Sequence, residues 1–163
     1  MEYVYVGRII TTHGLKGEVK IRSNFKYKEI AFKVGSYIYI GKTKEKHEIL
    51  SYRKHQDYDM LILSSIDDIS IAINYKQELV YLNKVDLILP DNEYLDEDLI
   101  GLDAYYNKQK IGKVKTITDQ GHNNFVILLD TGKYIPKNNN FILKVDLTKQ
   151  EIHFKNMEGL LWK

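Results

Sequence analysis

The sequence predicts an all-β protein, mainly β with one short helix, built as two small β-barrels joined by a linker. Residues that favour strands (Ile, Val, Thr, Tyr, Phe and Trp) make up 55 of the 163 positions, whereas alanine contributes three. Short runs of alternating apolar residues recur at near-even spacing between turn residues, as in small barrels. One stretch near the middle has no such rhythm and indicates a boundary.

Six predicted strands occupy residues 1–85, the first expected domain. They are Tyr3–Ile10, Glu18–Arg22, Ser36–Ile40, Glu48–Tyr52, Met60–Leu63 and Glu78–Leu82. Only residues 66–75 show a helical pattern, with Asp67 or Asp68 as a candidate N-cap. The spacing of the strands favours a small closed barrel.

Residues 86–97 form the expected linker, which contains the first of only two prolines and most of an acidic cluster. The strand rhythm resumes in the second expected domain, residues 98–163. Its predicted strands are Leu99–Asn107, Lys110–Thr118, Phe125–Asp130, Tyr134–Ile135, Phe141–Val145 and Glu151–Phe154. We expect a second small barrel here.

The composition excludes several classes of protein. Cysteine is absent, which removes disulfides, thiol nucleophiles and cysteine-ligated metals. No apolar run reaches the roughly 18 residues of a membrane span, and the N-terminus does not look like a secretory signal, so we expect a cytoplasmic protein without membrane contact. No two of the five histidines have helical i, i+4 spacing, and no glycine-rich phosphate loop is present. We therefore expect no enzyme activity, no catalytic residue, no cofactor and no metal site.

Charge is distributed unevenly although the net charge is only +2. Residues 1–60 contain 12 Lys and Arg against 7 Asp and Glu. The acidic cluster consists of Asp91, Glu93, Asp96, Glu97 and Asp98. These regions either steer association with RNA or a basic protein, or are simply solvated surface and linker.

Two loops are candidate contact sites. The first, residues 12–18, contains Gly14 and Gly17, which permit positive φ and close backbone approach, and displays His13 and Lys16 with Arg8 nearby. The second connects two strands of the second domain through Gly121, His122, Asn123 and Asn124. Each loop is equally compatible with a purely structural turn.

At these residues the sequence resembles a known family. The segment VGRIITTHGLKGEVKI, residues 6–21, is similar to the opening signature of the bacterial ribosome maturation factor RimM family. The second half is similar to the PRC-barrel domain of that family. The matching residues are 98–101, 111–114, 121 with 123–125, 135–136, 145–147 and 158–161.

The resemblance implies a non-enzymatic assembly factor of the 30S ribosomal subunit. Such a protein is expected to bind the nineteenth small-subunit ribosomal protein, with 16S rRNA as a further contact, to act on the head of the subunit and to support 16S rRNA processing. We also expect a monomer. The loop of Arg8, His13, Gly14, Lys16 and Gly17 is then expected to contact the ribosome or its RNA. The expected ribosomal-protein site comprises Tyr94, Leu95, Asp98, Gly121, His122 and Asn123.

One departure from the family occurs just ahead of the Asp98–Gly101 motif. Two aromatic residues and a tryptophan often stand there in the family, whereas this chain has Tyr94, Leu95, Asp96 and Glu97. Tyr94 either contacts a partner or fills the gap between the two domains, and both roles are compatible.

Two other functions compete with the assembly factor. A general RNA-binding barrel without a ribosomal-protein partner would use the basic first domain and its surface tyrosines. An enzyme acting on rRNA is disfavoured because the sequence shows no catalytic or cofactor signature.

Overall fold

The computed structural model describes residues 1–90, 93–122 and 124–160. The chain divides into two compact units, residues 1–89 and 90–163. The division between Leu89 and Pro90 falls within the stretch expected to be the linker. Each unit is described by itself below.

The first unit is a closed antiparallel barrel, as the strand spacing predicts. Its strands are β1 (Tyr3–His13), β2 (Glu18–Arg22), β3 (Tyr37–Ile40), β4 (Glu45–His55), β5 (Tyr58–Leu63) and β6 (Leu79–Asn83). Hydrogen bonds join them in the order β1-β2-β5-β4-β3-β6, and β6 returns to β1. Strands β1 and β4 extend further than the sequence predicts. Their terminal residues are polar and therefore do not continue the apolar alternation that marks a strand.

The predicted helix forms as α2 (Ile69–Ala72), which continues as a 3-10 turn over Ile73–Tyr75. Its N-cap is Asp68, whose carboxylate accepts a hydrogen bond from the backbone N–H of Ile71 at 3.0 Å. Two more four-residue helices accompany it, α1 (Lys28–Ala31) in the first unit and α3 (Asp96–Leu99) in the second. None of the helices in the described part of the chain is long and apolar enough to cross a membrane.

Apolar side chains from every strand fill the barrel, and the most deeply buried charged residue among them is Asp59. Asp59 on β5 is completely buried. Its Oδ1 accepts a hydrogen bond from the Tyr52 hydroxyl at 2.7 Å, and its Oδ2 lies 2.9 Å from Nζ of Lys28 on α1. Burial, followed by this hydrogen bond, raises the pKa of Tyr52 to about 12, so Tyr52 remains a donor at neutral pH.

The second unit is built from six shorter strands. They are β7 (Asp103–Tyr106), β8 (Gln109–Asp119), β9 (Phe125–Leu129), β10 (Tyr134–Pro136), β11 (Ile142–Asp146) and β12 (Glu151–Phe154). A 3-10 turn over Met157–Gly159 follows. The strand order is β10-β9-β8-β7-β12-β11, and only the β7–β12 pairing is parallel among the described pairs.

All six strands contribute to one apolar core, so the sheet curves around it. Ala104, Val114, Ile127, Ile135, Ile142 and Ile152 represent the six strands in that core. The all-β prediction is thus confirmed, although within the described residues the edge strands β10 and β11 do not close this sheet by pairing. Strand β10 ends at Pro136, which has no N–H to offer another strand.

The segment before β7 also differs from the prediction. The sequence predicts a strand that begins at Leu99, but α3 ends at Leu99 and Gly101 turns the chain with φ = +89°. Leu99 and Leu102 are fully buried, which explains their strand-like apolar pattern.

We expect Lys28→Met to lower the free energy of unfolding of the first unit by about 2 kcal/mol, because the buried Asp59 carboxylate loses its cation. Urea denaturation measures the loss. Adding Asp59→Asn should restore part of it by removing the buried charge. The exposed Lys33→Met serves as the control, and a Lys28→Met protein no less stable than that control would contradict the prediction.

Candidate functional site

The loop between β1 and β2 lies at the surface of the barrel. His13, Gly14 and Lys16 are exposed, and Leu15 is 81% exposed, whereas Gly17 is buried. Lys16 makes no ion pair with any described residue. The loop therefore displays an available ammonium group beside an apolar side chain.

The two glycines of this loop have different structural roles. Both have positive φ, +77° at Gly14 and +80° at Gly17, as the sequence predicts. A Cβ at Gly14 would meet nothing within 4 Å, but a Cβ at Gly17 would lie 2.7 Å from the carbonyl oxygen of Asp68. The close approach expected of Gly17 is thus made to the N-cap of α2 in the same chain.

A hydrogen bond completes this contact between the loop and α2. The backbone N–H of Ile69, the first residue of α2, donates to the carbonyl of Leu15 at 3.1 Å. Leu15 and the 41% exposed Ile69 consequently lie close together at the surface. The backbone is thus held at Leu15 by this hydrogen bond and at Gly17 by the close contact with Asp68. Lys16, which lies between them, projects from a constrained backbone.

Beside the loop, Glu18 is held by a cation that the sequence does not reveal. Arg53 on β4 donates from Nε to Oε2 at 2.9 Å and from Nη2 to Oε1 at 2.8 Å. The hydrogen bond and charge of Arg53, aided by His13 and His55, lower the pKa of the Glu18 carboxyl. The rings of His13 and His55 lie 6.5 Å apart, so the β4–β5 hairpin adds His55 to the site.

Arg8 is not part of the loop itself but lies on the outer face of the barrel. It stands directly opposite Arg22 in the β1–β2 register. The Arg22 guanidinium donates to the Tyr58 hydroxyl at 3.4 Å, and Nζ of Lys20 lies 4.2 Å from the centre of the same ring. The hydrogen bond and charge of Arg22 lower the pKa of Tyr58.

In the second unit, the expected ribosomal-protein site begins with a segment that is largely packed against its own core. Leu95 is only 8% exposed and Tyr94 packs on the core cluster. Asp98 accepts a hydrogen bond from the Leu95 backbone N–H at 3.1 Å, which caps α3. Burial, together with the charges of Asp96 and Glu93, raises the pKa of Tyr94.

Lys137 links this segment to the other half of the expected site. Its Nζ forms an ion pair with Asp96 and lies 5.7 Å from the ring centre of Phe125. Phe125 begins β9, directly after the loop that contains Gly121 and His122. The structure therefore brings α3 near the base of that loop, through a lysine that sequence reasoning missed.

The loop itself has the geometry of a tight connection. Gly121 has φ = +96° and its N–H donates to Asp119 at 2.8 Å, while His122 is exposed with φ = +55°. Asn123, also an expected contact residue, lies outside the described residues, as does Asp91 of the acidic cluster.

The described residues contain no group of three or more His, Asp or Glu placed to hold a metal ion.

A surface cavity of about 560 Å³ beside the β3–β4 turn is lined by Glu45, Tyr75 and Glu78, among others. Tyr75 donates to Glu45 at 2.6 Å, and burial followed by this bond raises the pKa of Tyr75 to about 12. Tyr75 therefore stays protonated at neutral pH and donates this hydrogen bond, which stabilises the fold.

We expect Gly14→Ala to cost about 1 kcal/mol of stability, because only its positive φ opposes a side chain. Gly17→Ala should cost at least about 2 kcal/mol, because the new Cβ also collides with the Asp68 backbone. Urea denaturation of the two variants tests the difference. Equal stability of both variants would show that the backbone at Asp68 can shift to accept the new Cβ without lowering the free energy of unfolding.

The Glu18–Arg53 pair should make stability depend on pH. A carboxyl whose pKa is lowered by folding contributes stability above its ordinary pKa of 4.5 and loses it as pH falls through the lowered value. We therefore expect the stability of the wild type to fall more steeply from pH 6 to pH 3 than that of Glu18→Gln. Urea denaturation across this range measures both curves, and parallel curves would contradict the assignment.

Comparisons with known proteins agree with the resemblance. Residues 4–87 match the family model described as the RimM N-terminal domain. Ribosome maturation factor RimM of Staphylococcus haemolyticus is 33% identical over 164 residues, which cover 97% of this chain and 98% of that protein. Ribosome maturation factor RimM of Bacillus pumilus is 31% identical over 172 residues, which cover 98% of this chain and 97% of that protein.

Among solved structures, the solution structure of the N-terminal domain of RimM from Thermus thermophilus aligns with 55% of this chain and 98% of its own. Its sequence identity is 19% and its TM-score 0.47. The assignment follows from the family model and the nearly full-length sequence matches: the chain belongs to the ribosome maturation factor RimM family.

Proposed function

We propose that this protein is a ribosome assembly factor that binds the maturing 30S subunit in its head region, through the nineteenth small-subunit ribosomal protein, and supports processing of 16S rRNA. It acts as a cytoplasmic monomer and not as an enzyme. The observation on which the proposal depends is the 33% identity with a ribosome maturation factor over 97% of the chain.

The two units have surfaces that suit different partners. The first unit offers RNA a constrained loop with the exposed Lys16, which has no ion-pair partner among the described residues, and, nearby, the exposed His13 and Arg8. The second unit begins with acidic residues, of which Glu93, Asp96 and Glu97 are exposed. A small ribosomal protein that is basic would complement this second surface.

The burial of Leu95 refines the expected anchor for the ribosomal protein. A side chain that is only 8% exposed can lose little more surface on binding, so Leu95 holds the segment in place. Tyr94, which is partly buried, and the exposed Glu97 and His122 are better placed than Leu95 to contact the partner. The contact roles of Asp98, Gly121 and Asn123 stay part of this proposal.

Two experiments test the function. Sedimentation of a lysate on a sucrose gradient should place the protein with free 30S subunits, and its absence from that fraction would contradict the proposal. Calorimetric titration with the purified ribosomal protein should show weaker binding for Glu97→Lys than for the control Glu29→Lys, which changes a glutamate of the first unit. Equal affinities would remove the acidic segment from the interface.

The second candidate is a general RNA-binding barrel without a ribosomal-protein partner. The cations Arg8, Arg22 and Lys20 on the outer face of the first barrel favour it. The same gradient distinguishes the two functions, because this candidate would sediment with protein-free RNA and would give no heat with the ribosomal protein.

We expect Lys16→Glu to weaken binding to 30S subunits and to reduce the salt slope of log K by about one unit, because one phosphate contact is lost. Filter binding across a salt titration measures both effects. Lys149→Glu, an exposed lysine in the second unit, is the matched charge control. Binding that is unchanged at every salt concentration would reduce the loop to a structural turn.

A further inference from the structure

A row of three tyrosines crosses the first barrel, in which Tyr39 is buried, Tyr81 is partly buried and Tyr5 is exposed. In the register of β3, β6 and β1, Tyr39 stands opposite Tyr81, and Tyr81 stands opposite Tyr5. The rings of Tyr5 and Tyr81 meet edge to face, with centres 6.1 Å apart. Tyr5 nevertheless remains 54% exposed, so this large residue keeps surface that a ligand can contact.

A cation lies directly over this row. Nζ of Lys44, in the turn between β3 and β4, is 4.3 Å from the ring centre of Tyr81 and 5.4 Å from that of Tyr3. Lys44 has φ = +53°, and its backbone N–H donates to the carbonyl of Gly41 at 3.1 Å, which closes the turn that places it. The ammonium group is thus held beside the exposed aromatic surface.

The row continues into the arginine pair. Val6 and Gly7 are buried, so Arg8 is the next exposed residue of β1 after Tyr5. Arg8 stands opposite Arg22, which in turn contacts Tyr58. We call Tyr5, Tyr81, Lys44, Arg8, Arg22 and Tyr58 the tyrosine–cation surface.

The arginine pair is unfavourable for stability. Like charges directly opposite each other on a sheet are destabilising, and Arg8 makes no ion pair in the described part of the chain. The chain has 3 arginines among its 24 basic residues, and two of them face each other here. A guanidinium can bind a phosphate with two parallel hydrogen bonds, and an ammonium group cannot do so.

From this juxtaposition of an exposed tyrosine ring with two facing arginines on one barrel face, we infer that the tyrosine–cation surface binds an unpaired segment of RNA. Tyr5 stacks on a base, and Arg8, Arg22 and Lys44 contact the adjoining phosphates. Stacking requires a base outside a double helix, so single-stranded RNA fits and duplex RNA does not. This inference deepens the proposed function, on which it rests, and it extends the expected RNA contact from Arg8 to residues outside the Lys16 loop.

The test uses the full chain and a fluorescein-labelled RNA of twelve adenosines, with a twelve-base-pair RNA duplex for comparison. Fluorescence anisotropy should show tighter binding to the single strand. Tyr5→Leu should weaken that binding at least about fivefold without changing the salt slope, because a stacking contact is lost and no phosphate contact is. Tyr5→Phe should retain the affinity, because the aromatic face remains.

The controls separate the surface from general effects. Arg22→Gln should lower both the affinity and the salt slope, the slope by about one unit. Tyr134→Leu removes a tyrosine of matched exposure, 51%, from the second unit and should leave binding unchanged. Thermal melts followed by circular dichroism verify that each variant is folded.

Three results would overturn the inference. They are no binding of the single strand by the wild type at low salt, equal affinity of wild type and Tyr5→Leu for it, or equal affinity for duplex and single strand. If Tyr5→Leu weakened binding to 30S subunits but not to the oligonucleotide, the surface would contact protein, and the proposed function would stand without this inference. Absence of the wild type from 30S fractions, with oligonucleotide binding intact, would refute only the proposed function.

Discussion

The architecture of the first unit depends on strand β6, because this strand closes the barrel. It pairs with β1 at five positions and with β3 at two, and the N–H of Gly41 extends the second pairing by donating to Leu79. Closure gives the barrel a continuous outer face with no free edge. Residues far apart in the chain, such as Tyr5 and Tyr81, become neighbours on that face only because β6 lies between β1 and β3.

Two carboxylates in this barrel show how burial decides the role of a charged pair. Asp59 has no exposed surface, and its charge is balanced by Lys28 while Tyr52 donates a hydrogen bond to it. Glu18 lies at the edge of the barrel, where the guanidinium of Arg53 binds it with two hydrogen bonds. The first arrangement ties α1 to the strands beneath it, and the second ties the β4 strand to the loop that presents Lys16.

The sequence predicts the local structure well, because each local feature has a local cause. Alternation with a period of two residues reveals the strands, and positive φ at Gly14 and Gly17 follows from their place in a tight connection. Sequence cannot reveal partners that meet through strand order, such as Gly17 with Asp68 or Glu18 with Arg53. The sequence does not predict the short helix α3, because its residues are mostly acidic. The two buried residues that anchor it, Leu95 and Leu99, are too few to show a helical period.

The parallel pairing of β7 with β12 has a consequence for synthesis of the chain. Strands β7 to β10 are made first and form one antiparallel meander, whereas β11 and β12 form a hairpin that pairs with it through β7. Until Phe154 has been made, β7 has an open edge whose backbone groups are unpaired on one side. A chain terminated before Glu151 would keep that edge, which makes it a target for proteases and for pairing with other nascent chains.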